Sequence, residues 1–115
     1  MSGLSTHVLD LAAGRPAHGV RITLSARLGD AVTPFAESVT GADGRSHLIA
    51  GDALVTGAYR LAFAVGDYFK ASGAAVTDPP FLDVVIIDFA VADAAQHHHV
   101  PLLISPFGYS TYKGG

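Results

Sequence analysis

The residues best equipped for chemistry are three successive histidines, His97-His98-His99. On a strand, His97 and His99 point to one face and His98 to the other. Two imidazoles on one face, joined by a third ligand such as His7, can hold a metal. Alternatively, one of them can act as a general base, because the unperturbed imidazole pKa lies near ~6.5. The third reading is a polar, solvated strand end, and spacing alone does not choose among the three. Arg45 directly follows Asp43-Gly44. It is either solvated beside a turn or a bidentate clamp for a planar, oxygen-rich anion. His7, within Ser5-Thr6-His7-Val8-Leu9-Asp10, has no local partner, and neither do His18 and His47.

The elements that must position these groups have a period of two. Val20, Ile22, Leu24, Ala26 and Leu28 alternate with polar neighbours, as do Tyr59, Leu61, Phe63 and Val65, and again Val85, Ile87, Phe89 and Val91. Such alternation predicts half-buried strands. Turn signals recur at Gly14-Arg15-Pro16, Gly29-Asp30, Asp43-Gly44, Gly51-Asp52 and Asp78-Pro79-Pro80, which predicts an all-β sandwich. Asp43-Gly44 is expected to close a hairpin between strands at 36–40 and 45–50. One short helix is expected from Asp67 to about Ser72, with Asp67 as N-cap and Gly73 as its end. Pro101 cannot donate from its nitrogen, so the strand carrying His99 is expected at a sheet edge or bulged there. Phe107, Tyr109 and Tyr112 in a weakly charged tail argue for a buried last strand, with a second subunit as one covering surface. The final two glycines are the part expected to fray.

The chain has 115 residues, enough for one domain across 1–115. Half of them are hydrophobic and 15% are charged, which excludes a disordered chain. Cysteine is absent, so disulfides, thiolate metal sites and a thiol nucleophile are excluded. The formal net charge is −3, with no basic stripe, so nucleic acid is not an expected partner. No segment reaches the ~18–20 apolar residues of a membrane helix. Met1-Ser2-Gly3-Leu4 lacks the basic start and apolar stretch of a signal peptide, so a soluble cytoplasmic protein is expected.

Three segments taken together resemble one family. They are Leu4-Ser5-Thr6-His7-Val8-Leu9-Asp10, then Asp43-Gly44-Arg45, then His99-Val100-Pro101-Leu102-Leu103-Ile104-Ser105-Pro106-Phe107-Gly108-Tyr109-Ser110-Thr111-Tyr112. In order and spacing they resemble the transthyretin-like 5-hydroxyisourate hydrolases, over nearly the whole chain. The resemblance implies a prealbumin-like β-sandwich of seven to eight strands with one short helix. It implies a homotetramer, a dimer of dimers with active sites in a channel between dimers. The implied reaction is cofactor-free hydrolysis of 5-hydroxyisourate to 2-oxo-4-hydroxy-4-carboxy-5-ureidoimidazoline, in urate degradation. The implied catalytic set is His7, Arg45 and His99, with His97, Ser110, Tyr112, Lys113 and Gly115 binding substrate. His99 is favoured as base, because a strand holds it more rigidly than a terminus would hold His7. Two features depart from the family. The tail reads Tyr112-Lys113-Gly114-Gly115 where Tyr-Arg-Gly-Ser is usual, and His98 replaces a common tyrosine. The altered tail keeps open a transthyretin-like small-ligand binding protein without hydrolase activity.

Overall fold

A computed structural model describes residues 3–114 of the chain. The alternating segments become strands in two facing sheets. Strand β1 (Gly3–Asp10) lies inside the first sheet, with β8 (His97–Ser105) parallel on one side. On its other side run β5 (Arg45–Ala50) and the two-residue β2 (Arg15–Pro16), both antiparallel. Beyond β8 comes β9 (Gly108–Thr111). The second sheet has the order β4 (Ala31–Val39), β3 (Arg21–Leu28), β6 (Gly57–Ala64), β7 (Val84–Val91). Setting aside two-residue β2, eight strands of four or more residues are described, in line with the expected number. One α-helix, α1 (Val65–Ser72), and a 3₁₀ turn at Gly51–Ala53 complete the elements. Among the described residues no helix is long and apolar enough to cross a membrane.

The core is the inner faces of the two sheets. Leu4, Val8, Leu102 and Ile104 from the first sheet meet Ile22, Leu24, Leu61, Phe63 and Val85 from the second, all nearly inaccessible to solvent. Burying each such side chain is worth ~1.5–3 kcal/mol, so their alternation sets which way every strand faces. The alternation in β3 fades at its end, where Leu28 is 78% exposed beyond the core. Edge strand β4 tolerates Pro34 beside a register shift against β3.

Four expectations are corrected. Asp43-Gly44 does make a turn, with the Gly44 N–H donating to the Gly41 carbonyl at 2.9 Å. Its flanking strands do not pair as a hairpin, because β4 belongs to the second sheet and β5 to the first. The turn therefore carries the chain across the sandwich. Thr40 anchors its start: its Oγ1 donates to the Ala17 carbonyl (2.6 Å) and accepts from the Val20 N–H (2.9 Å).

The helix begins at Val65, two residues before Asp67, and its N-cap Ala64 makes no side-chain cap bond. The Gly66 N–H instead donates to the Asp83 carbonyl at 2.8 Å. A backbone partner from a neighbouring segment thus replaces the capping side chain. Gly73 ends the helix as expected, with φ 78°.

The strand bearing Pro101 is neither at an edge nor bulged there, since β8 pairs continuously with β1 from His97 to Ile104 and with β9 from Leu102. On the β9 side the ladder begins only at Leu102, so no paired residue there calls for a Pro101 N–H, and the Pro101 carbonyl accepts from Thr111 Oγ1 at 2.7 Å. Finally, β9 forms but is not buried in the single chain. Phe107, Tyr109 and Tyr112 are all exposed. Gly114 does not fray: it is buried, and its N–H donates to the His99 carbonyl at 2.8 Å.

Helix α1 is tied to the end of β1 through buried polar groups. Tyr68 donates to Asp10 Oδ2 at 2.8 Å, and Asp10 Oδ1 accepts from the Ala13 N–H at 3.0 Å. Burial first, and then the Asp10 carboxylate, push the Tyr68 phenol up to about 12, so it remains a donor throughout the neutral range. Tyr68→Phe removes that donor from a buried carboxylate and is expected to lower stability by ~1–3 kcal/mol. Urea unfolding should show the midpoint falling with an unchanged m-value; an unmoved midpoint would mean the pair contributes nothing to stability.

Candidate active site

Strand register assembles the candidate residues on the outer face of the first sheet. Across β5, β1 and β8, Arg45 stands opposite His7, and His7 opposite Pro101. The adjacent row runs His47, Ser5, His99, and continues to Gly114 by an isolated bridge. Directly opposed residues have Cα atoms roughly 4.5–5.5 Å apart, so His7, Arg45 and His99 form one patch although they are far apart in sequence. His7 sits on inner strand β1, not on a terminus, so it is held as firmly as His99. Rigidity therefore does not separate the two histidines, and their surroundings must.

Those surroundings differ. His99 is half-buried and its Nδ1 lies 2.8 Å from Ser5 Oγ. The same hydroxyl lies 2.8 Å from His97 Nε2. The two rings stack with centroids 6.5 Å apart, while His98 turns into the sandwich and is 7% exposed. His98 Nδ1 donates to the Gln96 carbonyl at 3.0 Å. Burial, followed by the charges of Arg45, His7, His97 and His47, holds the His99 imidazole below its usual pKa of 6.5. His7 Nε2 donates to the Asp43 carbonyl at 2.9 Å, which places its proton on Nε2 and leaves Nδ1 as the other working nitrogen. The turn that delivers Arg45 thus also orients His7.

Glycine is required at two points of this frame. A methyl at Gly44 would lie 2.4 Å from the Val8 carbonyl oxygen, and the backbone there has φ 76°. A methyl at Gly114 would lie 2.7 Å from His99 Cδ2. The tail backbone thus packs directly against the ring of His99.

The remaining candidates divide. Ser110 pairs with Leu103, which pairs with Leu9, so it belongs to the outer face, and Tyr112 follows two residues later. Lys113 lines a cleft of about 380 Å³ at the open side of the sandwich, with Phe89, His98 and Val100; His99 and Tyr112 border it too. Gly115 lies outside the described residues. Among the described residues no three His, Cys, Asp or Glu side chains converge as a metal would require, so His7, His97 and His99 do not form a ligand cluster. Ser5, His47 and Gly114 were not singled out by sequence reasoning. The Arg45/His47 spacing of two hinted at a shared face, but Ser5 and Gly114 needed the register.

A two-sheet sandwich with a patch of histidine and arginine on one outer face has clear relatives. The chain belongs to the HIUase/Transthyretin family, which it matches over residues 4–114. A 5-hydroxyisourate hydrolase of Caulobacter vibrioides is 61% identical over 114 residues, covering 99% of each chain. The solved structure of Klebsiella pneumoniae 5-hydroxyisourate hydrolase is 38% identical with a TM-score of 0.81, covering 99% of this chain and 100% of that one. Sea bream transthyretin, crystallised in complex with thyroxine, is 31% identical with a TM-score of 0.86, covering 97% and 94%. The prealbumin-like architecture is thereby established.

The electrostatic account yields a direct test. His99 should titrate below 6.5 when followed by imidazole NMR. Arg45→Ala removes a cation that opposes the imidazolium, so the midpoint should rise toward 6.5. A midpoint unmoved by the substitution would show that Arg45 does not contribute to it.

Proposed function

We propose that the chain hydrolyses 5-hydroxyisourate to 2-oxo-4-hydroxy-4-carboxy-5-ureidoimidazoline, with His7, Arg45 and His99 as its catalytic residues. The observation that carries this reading is the convergence of those three side chains on one sheet face, in a chain 61% identical end to end with a protein of that activity. The backbone fold alone does not separate an enzyme from a hormone carrier, since transthyretin superposes as well as the hydrolase does. Arginine and paired histidines on the outer face favour chemistry over passive binding.

Opening a cyclic amide needs a base for water, a donor for the oxyanion and an acid for the leaving nitrogen. His99 is suited to the base role, because its lowered pKa keeps the imidazole neutral and able to accept a proton at neutral pH. With Nδ1 engaged by Ser5, Nε2 is the nitrogen that takes the proton from water. The resulting hydroxide attacks the ring carbonyl carbon. Arg45 is suited to hold the developing oxyanion. His7, oriented by Asp43 through Nε2–H, is suited in its imidazolium form to give the Nδ1 proton to the ring nitrogen as the C–N bond breaks, and it regains that proton from solvent, to which His99 returns the one it took. The product carboxylate then leaves from beside Arg45. Ser110 and Tyr112, and from the other side His97, would bound a planar substrate, and Lys113 and Gly115 would act from the tail.

The candidate face is a sheet surface, and hydrolysis through a polarised transition state gains from exclusion of bulk water. Leu11, Phe107, Tyr109 and Tyr112, between 48% and 60% exposed, lie on the same sheet and its adjoining turns. These features support a homotetramer in which a second copy covers the site.

Four measurements test the reading. Freshly generated 5-hydroxyisourate should lose its ultraviolet absorbance much faster with protein than in buffer. His99→Asn and Arg45→Ala should each slow turnover by ~10²–10⁴-fold with the fold intact; parental rates in both variants would overturn the assignment. The base must be neutral, so the acid limb of kcat/KM should have its midpoint below 6.5, as His99 takes up its proton. Light scattering after gel filtration should give about four times the 11.8 kDa chain mass, and a monomer with full activity would remove the shared-site reading.

A further inference from the structure

Ser5 joins the two outer histidines of β8 through one hydroxyl. It stands opposite His99 across the parallel ladder and is 6% exposed. Its Oγ is 2.8 Å from both His99 Nδ1 and His97 Nε2. A hydroxyl has one proton to donate and lone pairs with which to accept. Between two ring nitrogens it can donate to one ring and accept from the other, or accept from both and turn its proton elsewhere. If Ser5 donates to His97 Nε2, it accepts from His99 Nδ1–H, and the lone pair of His99 is on Nε2. If it donates to His99 Nδ1, the neutral His99 carries its proton on Nε2, where no base is left.

We propose that Ser5 is a positioning residue that holds His99 in its Nδ1–H tautomer, with His97 as the acceptor for the Ser5 hydroxyl proton in a His99–Ser5–His97 chain. The proposal rests on the base role given to His99 above. The first arrangement suits turnover: when His99 gains a proton at Nε2 it still donates to Ser5 through Nδ1, so nothing in the chain rearranges. The opposite arrangement would have to reverse both bonds. A hydroxyl also orients the ring without adding a negative charge. A carboxylate in its place would orient His99 too, but would raise the imidazole pKa.

The charged groups acting on His99 are His7 on β1, Arg45 and His47 on β5, and His97 on β8; on the β9 side it meets the Gly114 backbone. All four side chains are basic, and none competes with Ser5 as an acceptor for the Nδ1 proton.

The test is nitrogen-15 NMR of the imidazoles in the full-length protein at neutral pH, together with kinetics. The parent should show His99 protonated at Nδ1 and bare at Nε2, and Ser5→Ala should abolish that preference. A parent His99 protonated at Nε2 would overturn the proposal whatever the variant does. In kinetics, Ser5→Ala should lower kcat by about 10- to 100-fold, by analogy with the groups that orient metal-bound histidines, with KM little changed, and Ser5→Thr should restore most of it. Unchanged kcat and an unchanged tautomer in a folded Ser5→Ala protein would also overturn it. The tautomer measurement needs no substrate. A parent with the expected tautomer but no action on 5-hydroxyisourate would therefore sink the proposed function and leave the tautomer assignment standing.

Discussion

The parallel pairing of β1 with β8 is the constraint on which the rest depends. It joins residues as far as 94 positions apart, for example through Thr6 Oγ1 donating to the Val100 carbonyl at 2.6 Å. Because side chains alternate, a slip of one residue would send His99 into the core and His98 onto the working face. The register is held by packing: Leu4, Val8, Leu102 and Ile104 are all buried on the opposite side of the same strands. The apolar alternation that builds the core is thus also what projects His7, His97 and His99 outward.

Arg45 reaches this face by a different device. Its strand follows a segment of the opposite sheet, so the chain must cross the sandwich within the few residues from Thr40 to Gly44. Buried Thr40 secures the departure, and Gly44 allows the turn to press against the Val8 carbonyl, while the Val8 N–H donates to the Gly44 carbonyl at 2.8 Å. Asp43 contributes its carboxylate to the Arg45 N–H at 3.0 Å and its carbonyl to His7. One short crossing therefore sets the position of both an arginine and a histidine.

The face concentrates basic groups, and the charges acting on His99 are all of one sign. Such crowding works against stability, since like charges repel, but it keeps an imidazole neutral where a base is needed. Hydroxyl and backbone carbonyl partners orient the rings without cancelling that effect. The tail completes the arrangement from the β9 side, where glycine at 114 lets backbone lie against the His99 ring. This gives a physical reason for glycine at 114 that is independent of the altered residues on either side of it.

Much of this was legible in the sequence. Period-two alternation carries the all-β class because it records which face each strand buries, and the splitting of His97 and His99 from His98 follows from strand geometry alone. The three quoted segments carried the family, and with it His7, Arg45 and His99. Other features were decided only by tertiary structure. The Asp43-Gly44 turn looks local, yet its flanks join different sheets, because strand partners are chosen by the burial of distant faces. The helix began before its expected cap because a neighbouring carbonyl satisfied the N–H that a side chain would have served. Pro101 is tolerated inside a sheet because the β9 ladder starts one residue further on, where no bond needs the missing N–H. Ser5 and Gly114 acquire meaning only when register sets them against His99. Residue type and spacing determine what a segment can do and which face it turns to the core; which residues then meet depends on long-range pairing, and that is settled by the packing of the whole chain.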